Sequence, residues 1–147
     1  MRYVDLPQSY YAAYAKALQN ATYAGNALMS YLDTVDSLEQ PAVMADFLLR
    51  FDKVQWALVT TVNEGKFILS LRTSVPKASA ADVMRKLLHK IGEGGGHRTK
   101  AGGFVRLENA SPAEVDRVRK LLWDRYLRAV GMKPVRGQRL IPKPNEK

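Results

Sequence analysis

Residues 94–103 read Gly94-Gly95-Gly96-His97-Arg98-Thr99-Lys100-Ala101-Gly102-Gly103. Five of the ten glycines and one of the two histidines thus fall in ten consecutive positions, together with two cations. Consecutive glycines let a backbone take positive φ and come close to a ligand, because no Cβ intervenes. Their N–H groups then become available to phosphate oxygens, as in an anion-binding nest. Arg98 and Lys100 add charge, and His97 adds a directional donor or acceptor. The competing reading is a flexible linker with solvated charges, but a linker more usually carries Ser, Pro and acids. The stretch therefore reads first as an anion site. The G-x-x-x-x-G-K-[ST] order of a P-loop is absent.

The elements around it follow from hydrophobic spacing. Ser79 with Asp82 makes a capping-box-like helix start. Val83, Met84, Leu87, Leu88 and Ile91 recur at helical spacing behind it. Arg85, Lys86, His89 and Lys90 fall on the other side, where His89 is most simply a surface residue. Phe104, Val105 and Leu107 read as a short strand, so the glycine stretch is expected as a loop between a helix end and a strand start. Upstream, residues 53–62 and 66–73 form a hairpin pattern around Asn63-Glu64-Gly65. Trp56 to Val59 is a nearly continuous apolar run, as in a strand buried on both faces. In the next strand Phe67, Leu69 and Leu71 share one face, and Ile68, Ser70 and Arg72 the other. Arg72 thus stands at a strand end opposite the leucines. It is either solvent-facing or salt-bridged, or a guanidinium fork suited to phosphate.

Pro41 suits a first helical position, with Val43, Met44, Phe47, Leu48 and Phe51 behind it as a buried face. Residues 8–21 are Ala-rich and helix-favouring. Their Tyr11, Tyr14, Leu18 and Ala21 make an apolar stripe, read as packing, with Gly25 ending the helix and Ala27 to Leu32 starting a strand. Ser111-Pro112-Ala113-Glu114 opens a further helix. Its stripe is Val115, Val118, Leu122 and Tyr126, widened by Leu121 and Trp123, and its other surface carries Arg117, Lys120, Arg125 and Arg128. Gly131 and Pro134 end it. Residues 133–147 are Pro-rich and basic with little to bury, which predicts a poorly ordered tail.

With these elements in order, GGGHRTKAGG resembles the glycine–histidine motif of the DHH-associated domain, the C-terminal half of DHH-superfamily phosphoesterases. Ala45-Asp46 with Leu48-Leu49-Arg50, the Trp56-Ala57-Leu58-Val59 strand and Leu69-Ser70-Leu71-Arg72-Thr73 are similar to the same domain in the same order. The similarity covers roughly residues 24–108. Lys100 departs from the pattern, since many members carry a small or apolar residue there, and it bears on ligand preference rather than fold. The expected fold is α/β, a mixed sheet of about four or five strands with helices on its faces. The expected division is a connecting helix at residues 1–24, the DHH-associated substrate-binding domain at 25–131 and a basic, disordered tail at 132–147.

The resemblance implies that the chain holds the phosphate end of a substrate while a DHH catalytic domain cleaves it. Gly94, Gly95 and Gly96 would supply backbone donors, His97 and Arg98 would grip phosphate, and Arg72 and Lys100 would be auxiliary cations. Gly102 belongs to the same binding set. Phosphorylated oligonucleotides, single-stranded nucleic acid and polyphosphate are the implied ligands. Leu-Leu-Arg-Phe and Ser-Leu-Arg-Thr-Ser lean toward the exopolyphosphatase-like or oligoribonuclease-like branch. A divalent metal, Mn or Mg, is expected in the catalytic domain and no cofactor in this chain.

Composition narrows the alternatives. At 147 residues, 46% apolar and 25% charged, the chain has ordinary globular values and enough length for a real core. It has no cysteine, so disulfides and thiolate metal sites are excluded, which fits a cytoplasmic home. No apolar run reaches the roughly 18 residues of a membrane span, and Met1-Arg2-Tyr3-Val4-Asp5 does not read as a signal peptide. Residues 1–84 carry 7 Lys and Arg against 8 Asp and Glu, a net of −1, whereas residues 85–147 carry 16 against 6, a net of +10. The half with the glycine stretch holds all the excess positive charge, which points to a polyanionic partner unless it only solubilises the surface. There is no Asp-His-His triplet and no nucleophile elbow, so the chain is not expected to be an enzyme by itself. Three other classes stay open: a stand-alone nucleic-acid-binding module, an oligomerisation domain (a homodimer through the tyrosine stripe), and the related C-terminal domain of alanyl-tRNA synthetases, which the Leu-Arg-Thr and Ala-Asp features fit less well.

Overall fold

The hairpin read from residues 53–73 forms the middle of a mixed sheet in the computed structural model, which describes residues 5–144. The reading of Met1–Asp5 lies almost wholly outside the described residues, as do the last three positions of the basic tail. In chain order the elements are α1 (Gln8–Asn20), β1 (Thr22–Ala24), β2 (Ala27–Leu32), α2 (Gln40–Leu48), β3 (Trp56–Asn63), β4 (Lys66–Thr73), α3 (Ala80–Leu88), β5 (Gly92–Gly96), β6 (Lys100–Arg106), α4 (Pro112–Ala129) and β7 (Gln138–Arg139). The strands lie in the order β5-β6-β4-β3-β2-β1-β7. Only β2 and β3 run parallel, so the class is α/β as expected. The sheet has seven strands rather than four or five, because β1, β5 and β7 carry no apolar alternation by which to be seen.

Between β3 and β4, Glu64 (φ 49°) and Gly65 (φ 74°) take the left-handed pair that a two-residue hairpin turn demands. The odd residues of β4 (Phe67, Leu69 and Leu71) enter a core shared with α3 and α4 through Met84, Leu87, Val118, Leu122 and Tyr126. Tyr126 is fully buried and donates its hydroxyl to the Leu28 carbonyl at 2.9 Å, tying α4 to β2. On the other face α1 and α2 close a second core with Leu28, Ala57 and Val59.

One helical face and one segment differ from expectation. Helix α1 buries Ala13, Ala17 and the following Ala21, while Tyr11 is 63% exposed. Small residues let this helix approach the sheet so closely that Ser30 Oγ donates to the Ala17 carbonyl at 2.6 Å. Tyr14 still packs, edge-on against Phe47 of α2 at 5.0 Å between ring centroids. The helix also ends at Asn20, and residues 22–24 form β1 against β2. The segment after α4, expected to have little to bury, runs back along the sheet. Trp123 Nε1 donates to the Val135 carbonyl at 2.9 Å, and β7 pairs with β1.

Candidate functional site

The glycine stretch is a β-hairpin rather than a loop between a helix and a strand. Gly92–Gly96 forms the edge strand β5, residues 97–99 turn, and Lys100–Arg106 forms β6 against β4. Positive φ is not what these glycines provide; among glycines only Gly25, Gly65 and Gly131 adopt it. Close approach is. A Cβ on Gly94 would stand 2.5 Å from the Gly102 carbonyl oxygen and 2.7 Å from Leu88 Cδ1, so β5, β6 and α3 nest only because that side chain is missing.

The turn is anchored by its carbonyls. Arg98 O accepts from Ala80 N–H at 2.8 Å and His97 O from Ala81 N–H at 3.0 Å, while Thr99 O accepts from Thr73 N–H at 3.1 Å. With Ser79 Oγ accepting from Asp82 N–H at 3.1 Å, the first turn of α3 is capped by the protein itself. The helix terminus is therefore not left open to an anion. An N–H nest is replaced by a different row of donors. His97 N–H donates to the Lys100 carbonyl at 2.7 Å, and antiparallel pairs alternate in hydrogen bonding. That phase turns the Gly94 and Gly96 amides away from β6, toward the open edge of the sheet.

Register sorts the expected site residues onto surfaces. Arg72 pairs with Lys100, and Ser70 with Gly102. Gly102 in turn pairs with Gly95. Register partners share a face, so Arg72, Lys100, Gly102 and Gly95 lie together, opposite the leucines of β4. Gly94 and Gly96 belong to the other face, toward α3. On the shared face α2 reaches as far as Asp46, which holds Arg72 Nε at 2.8 Å. Beyond that contact Gly95, Gly102 and Lys100 are exposed, and a Cβ at Gly95 would meet nothing within 4 Å. The result is a bare backbone floor beside Arg72 and Lys100. His97 and Arg98 stand exposed at the turn next to it.

Arg72 is thus the salt-bridged residue that sequence reasoning allowed. Its side chain is only 12% exposed. Nη1 donates to the Leu71 carbonyl at 2.9 Å. A ligand would meet the remaining donors or displace Asp46. In the sequence Asp46 stands only as part of a motif; nothing in its spacing signals a partner 26 positions away. Further along the same face, Phe104 is flanked by Lys66 Nζ at 4.7 Å and the Arg106 guanidinium at 5.4 Å from its ring centre. Hydrophobic spacing marks this continuation of the floor, where the exposed Glu93 also stands in register with Phe104, only as a strand.

Solved structures share this architecture. An exopolyphosphatase-related protein from Bacteroides fragilis is similar over 80% of this chain, with 15% identity and a TM-score of 0.60. RecJ from Thermus thermophilus, in complex with Mn2+, is similar over 88%, with 23% identity and a TM-score of 0.52. At these identities the likeness is one of fold. The chain spans only 35% of the first protein's length and 18% of the second's. Comparison with curated protein sequences returns no match. The model of the DHHA1 domain matches residues 24–125, from β1 into α4, and so includes the whole glycine hairpin and its floor. The chain belongs to the DHHA1 domain family.

Proposed function

We propose that this chain is the substrate-binding part of a phosphoesterase, and that the floor formed by Gly95 and Gly102 receives the terminal phosphate of a short single-stranded nucleic acid or of polyphosphate. The observation that carries this reading is the uncovered backbone between β5 and β6, beside Arg72 and Lys100 and next to the exposed turn of His97 and Arg98. A side chain at either glycine would hold a ligand away from the backbone. The guanidinium offers paired donors to phosphate oxygens, and the ammonium of Lys100 adds a mobile charge. The outward amides of Gly94 and Gly96 give a second row of donors along the edge. The bond cleavage itself belongs to a DHH catalytic domain with its divalent metal, Mn or Mg. Among the described residues no three His, Asp or Glu side chains gather to hold such an ion. No helix among them is long and apolar enough to cross a membrane. The cytoplasmic compartment is part of the same proposal.

The test is binding of a labelled, 5′-phosphorylated short RNA beside its unphosphorylated twin at several salt concentrations. A terminal-phosphate site gives a preference for the phosphorylated strand and a shallow salt slope, because few phosphates are neutralised. His97→Ala should weaken that preference by roughly tenfold with an unchanged circular dichroism spectrum, since the side chain is exposed. Equal binding of the two RNAs with a steep salt slope would replace this reading by a general polyanion surface.

A further inference from the structure

At the opposite edge of the sheet a cavity of about 470 Å³ lies where the C-terminal segment passes over β1, β2 and α4. Cavities of this size hold small ligands. Its walls are built by specific contacts. Trp123 holds the Val135 carbonyl, β7 pairs with β1, and Leu140 N–H donates to the Ala21 carbonyl at 3.0 Å. Gly137 passes between Thr22 and Trp123 so tightly that a Cβ there would stand 3.0 Å from each side chain.

The charge on these walls is one-sided. Arg119, Lys120, Arg136 and Arg139 line the cavity against the single carboxylate of Asp116. Asp116 is 3.7 Å from Arg119 and 3.8 Å from Lys120, too far for a hydrogen bond to either. Arg139 directs its donors to the Gln19 and Ile141 carbonyls. The Arg136 guanidinium has no hydrogen-bond or ion-pair partner among the described residues. Cations gathered in this way repel one another until an anion joins them. The remaining wall is uncharged. Its aromatic and apolar part is Trp123, Met29, Val135 and Tyr31, whose ring lies 4.4 Å from the Arg119 guanidinium, and Asn20, Thr22 and Ser30 add neutral polar groups. Burial, with Asp33 adding to it against Arg119, raises the Tyr31 phenol above its ordinary range.

We propose that this cavity binds a nucleoside 5′-phosphate, free or as the end of a single strand, with the phosphate on Arg136 and Lys120 and the base against Trp123. Neither inorganic phosphate nor a bare nucleoside uses both halves of the lining. The site is separate from the glycine hairpin, which stands at the other edge of the sheet.

Calorimetric titration of AMP, adenosine, inorganic phosphate and 5′-phosphorylated hexa-adenylate tests it, using His97→Ala protein so that the hairpin contributes least. AMP should bind more tightly than adenosine or phosphate. Adding Arg136→Ala should weaken AMP by roughly tenfold, with a smaller loss for Lys120→Ala at its exposed helical position. Hexa-adenylate binding tighter than AMP identifies the end of a strand, and equal affinity identifies the free nucleotide. The proposal is overturned if AMP gives no binding, if phosphate or adenosine matches it, or if both substitutions leave its affinity unchanged.

Discussion

The two edges of the sheet handle positive charge in opposite ways. At the β5–β6 edge side chains are removed: glycines let the strands and α3 close on one another, and on the other face they leave bare backbone beside Arg72 and Lys100. At the β1–β7 edge side chains are added, with Trp123, Tyr31 and four cations walling a cavity around the returning C-terminal segment. On the two proposals, the first edge would recognise by access to the main chain and the second by side-chain chemistry. A substitution that adds atoms therefore threatens the first, and one that removes atoms threatens the second.

The sharpest way to break the comparison is within the glycines themselves. Gly94→Val should destabilise the domain by about 3 kcal/mol, because the new side chain overlaps the Gly102 carbonyl and Leu88. That corresponds to a fall of roughly 10 °C in Tm by calorimetry. Gly95→Val, one position away with open space above it, should stay within about 0.5 kcal/mol of wild type and weaken phosphorylated-RNA binding instead. Equal melting of the two variants would refute the close-packing account of this edge.

A smaller effect tests the helix on which the other edge stands. Tyr126→Phe removes the hydroxyl that ties α4 to the Leu28 carbonyl and should cost about 1–2 kcal/mol. Burial pushes this phenol well above its ordinary value. The native state therefore keeps the proton after the unfolded chain begins to release it near pH ~10. Stability from this group is complete below that pH and falls as pH rises toward the native value, by at most about 1.4 kcal/mol per pH unit. Denaturant melts above that pH should show this loss in wild type and a shallower one in Tyr126→Phe.

The smallest effect concerns the ion pair at the margin of the floor. Asp46→Asn frees Arg72 from its carboxylate and should raise affinity for 5′-phosphorylated RNA by less than about fivefold, since an ion pair with a solvated carboxylate is weak. No change in affinity would remove Arg72 from the phosphate-contacting set.

These contrasts also mark where the sequence could be read. The β3–β4 hairpin was legible because Phe67, Leu69 and Leu71 alternate with polar positions and Glu64-Gly65 supplies left-handed residues. Helix α4 was legible because Ser111 and Pro112 announce it, and Ser111 Oγ does accept from Glu114 N–H at 3.2 Å. Strand β5 was not, because Gly-Glu-Gly-Gly-Gly has no side-chain period and glycine is a poor strand former. Its conformation comes from pairing with β6. In helix α1 the stripe Tyr11, Tyr14, Leu18 and Ala21 is legible as packing except at Tyr11, whereas Ala13 and Ala17 are chosen by close packing on the sheet.

By itself the sequence determined the elements with side-chain periodicity, the caps that start α3 and α4, the excess of cations in residues 85–147 and, by its motifs, the family. Those depend on residues near one another in the chain. Tertiary structure alone decided that Gly92–Gly96 is an edge strand without positive φ, that Arg72 answers to Asp46, and that the C-terminal segment closes a cavity on Trp123. Each of these is a pairing between distant residues, made by sheet register and helix docking, and neither leaves a local pattern to read.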